Sequence, residues 1–158
     1  MLVNVRGGKA HQRKYVQSVI EFCQQKLMPR MDSLELNVKL RKFPKEEDNC
    51  GYCLAVDGPR PDRPREFEIE LHSGMKLRTL LETVCHEMVH VKQYARGELY
   101  ESERQSKLRW QGQWLDSNKV EYWDHPWEIE AHGRECGLFV RWAQQEGLAK
   151  QKWVKRNY

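Results

Sequence analysis

The chain has 158 residues and a formal net charge of +4 from 27 basic and 23 acidic side chains, which suits one domain and excludes a histone-like polycation. With 39% hydrophobic and 32% charged residues, it reads as a globular protein with a heavily solvated surface. No apolar run approaches the ~20 residues of a bilayer span, and the opening Met1-Leu2-Val3-Asn4-Val5-Arg6 lacks the apolar stretch of a signal peptide. The expectation is a cytoplasmic protein with no membrane partner. Five cysteines with a lone CxxC fit reduced thiols better than a disulfide framework.

In chain order, Val16, Val19, Ile20, Cys23 and Leu27 recur at helical spacing. They predict an amphipathic helix over residues 11–28, ended by Pro29. Leu34, Leu36, Val38 and Leu40 alternate and predict a strand; residues 52–56 predict a short second one. Gly58-Pro59-Arg60-Pro61-Asp62-Arg63-Pro64 reads as a loop. Phe67-Glu68-Ile69-Glu70-Leu71 then alternates apolar and acidic, as in a half-buried strand. Ser73 is the expected N-cap of a helix over residues 75–96, with Gly97 as its stop. Residues 98–125 carry no assignable pattern beyond a hairpin turn at Trp110-Gln111-Gly112-Gln113-Trp114. Pro126 suits the first turn of a last helix that runs to Gly147. Strands gathered before long helices predict an α+β fold in a single domain, residues 1–158, with a small antiparallel or mixed sheet packed on the residue 75–96 helix.

The sharpest signal is His86-Glu87-Met88-Val89-His90. Two histidines at i and i+4 share one helix face, so their imidazoles can converge on one ion. Zinc accepts nitrogen ligands in tetrahedral geometry, and the intervening Glu87 sits where a general base would take a proton from a water beside the ion. On the same helix Leu77, Leu81, Val84, Met88, Val91 and Ala95 form the apolar stripe, and the two histidines fall close to the opposite face.

A catalytic zinc ion needs a third protein ligand. Pro126-Trp127-Glu128-Ile129-Glu130-Ala131-His132 offers three. Taking Ile129, Cys136, Val140 and Ala143 as the apolar stripe of the last helix, Glu128 and His132 share one flank while Glu130 pairs with Arg134 on the other. Glu128 is the favoured ligand, with His132 and Glu130 as alternatives.

These two motifs resemble those of zincin metallopeptidases of the Glu-ligand kind, which follow His-Glu-x-x-His with a helix reading Glu-x-x-Ala-Asp. The matching residues are Glu128-Ile129-Glu130-Ala131-His132, with His132 in place of the Asp. The stretch 64–147 is also similar to small zincin-like proteins of tailed phages and to SprT-like proteins. The resemblance implies a Zn²⁺ cofactor held by His86, His90 and Glu128, hydrolysis with Glu87 as base, a peptide or protein substrate, and a location in the host cytoplasm if the protein is viral. It also implies an edge strand above the active-site helix, to which an extended peptide adds. Phe67–Leu71 is the expected strand near that cleft, its acidic face favouring cationic substrates.

Three other function classes stay open at this level. One is hydrolysis of a non-peptide amide or ester. Another is SprT-like association with nucleic acid. The third is an inactive interaction module, against which the intact Glu87 counts. The basic tail Lys150, Lys152, Lys155 and Arg156, with Trp153 and Tyr158, reads as a solvated terminus. The CxxC at Cys50 and Cys53 reads as a tight turn between strands rather than half of a second zinc site. Trp110, Trp114, Trp123 and Trp127 read as core and cleft packing. Tyr94, Tyr100 and Tyr122 are candidates for a phenol that stabilises an oxyanion.

Overall fold

Two alternating segments, Leu34 to Leu40 and Phe67 to Leu71, supply the central strands of the protein. In the computed structural model, which describes residues 1–56, 58–102 and 107–155, they become β2 (Glu35–Arg41) and β4 (Glu66–His72), paired in parallel. Leu36, Val38, Leu40, Phe67, Ile69 and Leu71 are all buried on one face. β1 (Leu2–Gly7) adds in parallel to β2, and β3 (Gly51–Ala55) adds antiparallel to β4. The sheet order is β1-β2-β4-β3. Its apolar face is covered by α1 (Ala10–Leu27) and α2 (Leu77–Ala95), and α3 (Pro126–Gln145) packs on α2. A second sheet, β5 (Leu99–Ser102), β6 (Lys107–Trp110) and β7 (Gln113–Leu115), is inserted between α2 and α3. The fold is α+β in one domain, and no helix among the described residues is long and apolar enough to cross a membrane.

Several expectations are corrected. β1 has no counterpart in the sequence reading because its residues, Val3 and Val5 included, are at most half-buried at a sheet edge. Ser73 does not cap α2. Its backbone N–H donates to the Arg41 carbonyl and its carbonyl accepts from Gln12 Nε2, so it belongs to the turn after β4, and α2 starts behind Lys76. The CxxC is not a turn between strands. Gly51, Tyr52 and Cys53 lie within β3, and the Cys50 carbonyl accepts from His72 N–H. β4 is an inner strand; the edge strand on that side is β3.

The apolar stripe of α3 also lies elsewhere. Ile129 is 56% exposed and Val140 37%, whereas Trp127, Ala131, Phe139, Trp142 and Ala143 are buried. The large rings outweigh the small aliphatic groups in apolar area, and they decide which face turns inward. Of the four tryptophans between the motifs, Trp127 is buried with Trp110 tilted against it, while Trp114 and Trp123 are exposed. Gln111 and Gly112 both take positive φ between β6 and β7, as a two-residue hairpin turn requires. In the basic tail, Trp153 packs on the core; Arg156 and Tyr158 lie outside the described residues.

α2 is the inner helix. The stripe Leu81, Val84, Met88, Val91 and Ala95 faces the sheet and α1, with Leu77 partly buried against the same core. Leu80, Cys85 and Val89 are buried as well; Cys85 meets Cys23 of α1 at 3.9 Å, and α3 packs along what would otherwise be a solvent side.

The parallel pairing of β1 and β2 sets Gly7 opposite Leu40, and Gly7 takes φ 78°. A Cβ there would overlap the Leu40 carbonyl oxygen, whereas one at Gly112, also at positive φ, meets nothing within 4 Å. Gly112→Ala carries only the backbone cost of about 1 kcal/mol. Gly7→Ala adds a steric clash, so its melting temperature should fall clearly further. Equal melting temperatures for the two variants would contradict the pairing of β1.

Candidate metal centre

The last turns of α2 and the first turns of α3 carry polar side chains toward each other. On α2 these are His86, His90 and Gln93; on α3 they are Glu128, His132 and Glu135, at i, i+4 and i+7. Helical spacing places each set on one face.

Three side chains converge. His86 Nε2 and His90 Nε2 are 3.1 Å apart, and the Glu128 carboxylate lies 3.3 Å from the first and 3.5 Å from the second. Ligands at ~2.0–2.1 Å from a tetrahedral zinc ion sit roughly 3.3 Å from one another. The three separations are close to that spacing, and His86, His90 and Glu128 form a group able to hold a metal ion.

Each imidazole is held by its other nitrogen. His86 Nδ1–H donates to Glu135 Oε2 at 2.8 Å, and His90 Nδ1–H donates to Gln93 Oε1 at 2.8 Å. Those bonds fix the tautomers and leave both Nε2 lone pairs for an ion. Gln93, fully buried, donates in turn to the Trp127 carbonyl and to Glu130 Oε2. Glu130 also pairs with Lys92 at 2.6 Å and Arg134 at 3.0 Å. Glu130 is thus no member of the converging group; it anchors Gln93, and through Gln93 it anchors His90.

His132 also stays outside the trio. Its Nδ1 lies 3.3 Å from Glu135 Oε2, its Nε2 3.1 Å from the Tyr122 hydroxyl, and its ring packs 4.5 Å from that of His86. His86, His132 and Glu135 form a second group of possible ligands. There, however, His86 Nδ1 and Glu135 Oε2 are 2.8 Å apart, further from the roughly 3.3 Å between corners of a zinc tetrahedron than any pair of the trio. Tyr122 donates its hydroxyl proton to Glu128 Oε2 at 2.8 Å. Of the three phenols singled out, it is the one bonded to a member of the converging group. Glu135 and Gln93 were not anticipated. Glu135 was legible as the third member of the polar row that starts at Glu128 and His132; Gln93 carried no signal beyond standing three residues after His90.

Glu87 lies on the β3 flank of the trio, near enough for His90, His86 and Glu128 to act on its charge. It is 5% exposed, and among the described residues it has no hydrogen-bond partner. Its neighbour is Gly51, where an added Cβ would lie 3.1 Å from Glu87 Oε1 and 2.9 Å from Thr83 Cγ2. The missing side chain at Gly51 leaves the strand close to the carboxylate. Burial raises the Glu87 pKa, with the adjacent His90 and His86 pulling it back.

The electrostatics of the trio are those of a cation site. Burial disfavours a charged His86, but its bonds to Glu128 and Glu135 prevail and lift it to about 9. Burial likewise opposes a charged Glu128, and His86, His90 and Tyr122 together hold it well below the usual carboxylate range. A proton on His86 supplies the positive charge that two facing lone pairs and a carboxylate demand.

Comparison with protein-family models, with curated proteins and with solved structures finds no match to this chain.

The raised His86 pKa has a sign that can be checked in the metal-free protein. Its stabilising contribution is complete below the ordinary histidine value of ~6.5 and is lost as pH rises through about 9. The melting temperature of the chelator-treated protein should therefore fall over that interval, and Glu135→Gln should shrink the fall. A histidine NMR titration placing every imidazole below 7 would contradict the geometry.

Proposed function

We propose that this protein is a zinc-dependent metallopeptidase with a zincin-like active site. The observation that carries the reading is the convergence of His86, His90 and Glu128 at 3.1 to 3.5 Å with buried Glu87 next to it. His86, His90 and Glu128 hold the ion. Zinc, when bound, supplies Lewis acidity that polarises a carbonyl and makes a water molecule more acidic.

The remaining work belongs to the chain. Glu87 accepts the proton of the attacking water and delivers it to the leaving amine. Burial raises its pKa, which moves a carboxylate toward the range useful to a general base. Glu135 and Gln93 hold the two imidazoles in the required tautomer. Tyr122 is placed to donate to negative charge developing on the substrate, supported by His132 at 3.1 Å.

The substrate strand is β3. The Val56 N–H donates to the Glu66 carbonyl and the Cys50 carbonyl accepts from His72, so the even-numbered residues of β3 bond to β4. In an antiparallel ladder the alternate residues turn their N–H and C=O groups outward. Among the described residues Gly51, Cys53 and Ala55 thus have no strand partner on their outer side, beside Glu87, the arrangement that lets an extended peptide add as a further strand. This free backbone edge favours a peptide over a small amide or ester as the substrate.

The test uses purified protein, metal analysis and peptide cleavage together. Wild-type protein should carry one zinc ion per chain. Glu87→Gln should keep zinc and lose peptide cleavage by at least about a thousandfold, the scale of losing both proton transfers. Glu128→Ala should lose zinc, and Glu130→Ala should retain it with weaker binding, about ten- to a hundredfold. Undiminished cleavage by Glu87→Gln, or unchanged zinc affinity in Glu128→Ala, would sink the assignment.

A further inference from the structure

We propose that the cavity alongside β3 is the specificity pocket of this site, and that it receives a large uncharged side chain, aromatic or branched aliphatic, from the part of the peptide N-terminal to the cut bond. This rests on the peptidase reading above and adds the substrate class to it.

The cavity measures about 900 Å³ and lies between β3 and the inserted sheet, a volume within the usual range for ligand sites. On the β3 side its wall includes Ala55 and Val56; on the far side stand Tyr100 and Leu108, with Tyr94 rising from α2. It lies one turn of α2 and two residues of β3 beyond the metal centre. Tyr94 follows His90 by four residues, one turn along α2, and Cys53, which also lines the cavity, follows Gly51, the residue against Glu87.

Charge decides against an ionic occupant. Among the described residues, the charged ones of the wall are Glu101 and Lys107, of opposite sign. They are diagonal neighbours on paired strands, because Ser102 pairs with Lys107 and Glu101 with Leu108. The described wall therefore offers no net charge, and beside the polar Ser102, Ser117 and Asn118 its aromatic and aliphatic groups offer apolar area worth about 25 cal/mol per Å² covered. The sequence-based expectation of cationic substrates depended on the acidic face of β4, and β4 is an inner strand.

Strand direction assigns the side. β3 starts at Gly51, against Thr83 and Glu87, and ends at Ala55 by the cavity. Antiparallel pairing is the more stable option per residue. A peptide antiparallel to β3 enters with its N-terminal part at Ala55 and leaves past Gly51. Residues ahead of the scissile bond therefore pass the cavity. Those behind it do not.

The experiment has two arms. In the first, zinc-loaded wild-type protein digests a diverse peptide library, and the residues flanking each cut are counted. Large uncharged side chains should be enriched N-terminal to the cut, with kcat/KM about ten- to a hundredfold above that for alanine at the same position. Ala55→Trp, which places a ring in the cavity from an exposed strand position, should abolish the enrichment while zinc content and circular dichroism stay unchanged. Enrichment only on the C-terminal side, a preference for charged residues, or a pattern indifferent to Ala55→Trp would overturn the proposal. In the second arm, zinc-loaded Glu87→Gln binds a matched pair of peptides, one with phenylalanine and one with alanine ahead of the central bond, followed by calorimetry. Tighter binding of the phenylalanine peptide, lost on adding Ala55→Trp, supports the pocket even if the first arm yields no cuts. That combination would remove the peptidase reading alone. Equal binding of the two peptides would remove the pocket.

Discussion

Two imidazole lone pairs and one carboxylate point at a single spot, and they do so inside the protein. His86 Nε2, His90 Nε2 and the Glu128 carboxylate lie 3.1 to 3.5 Å from one another, and the side chains are only 11%, 11% and 13% exposed. In a low-dielectric setting this grouping demands positive charge. A proton on His86 can provide it; a divalent cation provides more, at the spacing its coordination prefers. Much of the surrounding structure can be understood as the means of holding that grouping together.

The means are the packing of α3 on α2 and two hydrogen-bonded supports. One support runs from His90 through Gln93 to Glu130, Lys92 and Arg134. The other runs from His86 through Glu135 to His132 and on to Tyr122, which returns to Glu128. Each ligand is thereby fixed by a group that is itself fixed. Below them Trp127, Ala131, Phe139 and Trp142 seal α3 to the core. Ala131, fully buried, presents no bulk between the two helices. On the β3 flank Gly51 lets the strand approach Glu87, so the same helix carries the proposed metal ligands and, beside them, the proposed base against β3.

Much of this was legible in the sequence where a short spacing rule applied. The i, i+4 histidines, the Glu130–Arg134 pair, the helix stop at Gly97, the helix start at Pro126, and the Trp110–Trp114 turn all depend on local geometry. What escaped was non-local. β1 is held by pairing to β2 rather than by its own alternation. The inner face of α3 is set by which rings reach the core, not by Ile129 and Val140. That β3 rather than β4 forms the edge follows from strand order, which no segment encodes by itself. Glu135 and Gln93 matter only because α2 and α3 pack at one particular register.

That register is the central claim, and locating the bound ion tests it most directly. Crystals of the zinc-loaded protein, measured on both sides of the zinc absorption edge, should show one anomalous peak per chain about 2.0–2.1 Å from His86 Nε2, His90 Nε2 and a Glu128 oxygen. A peak held instead by His86, His132 and Glu135, or no peak within reach of His90, would contradict the account.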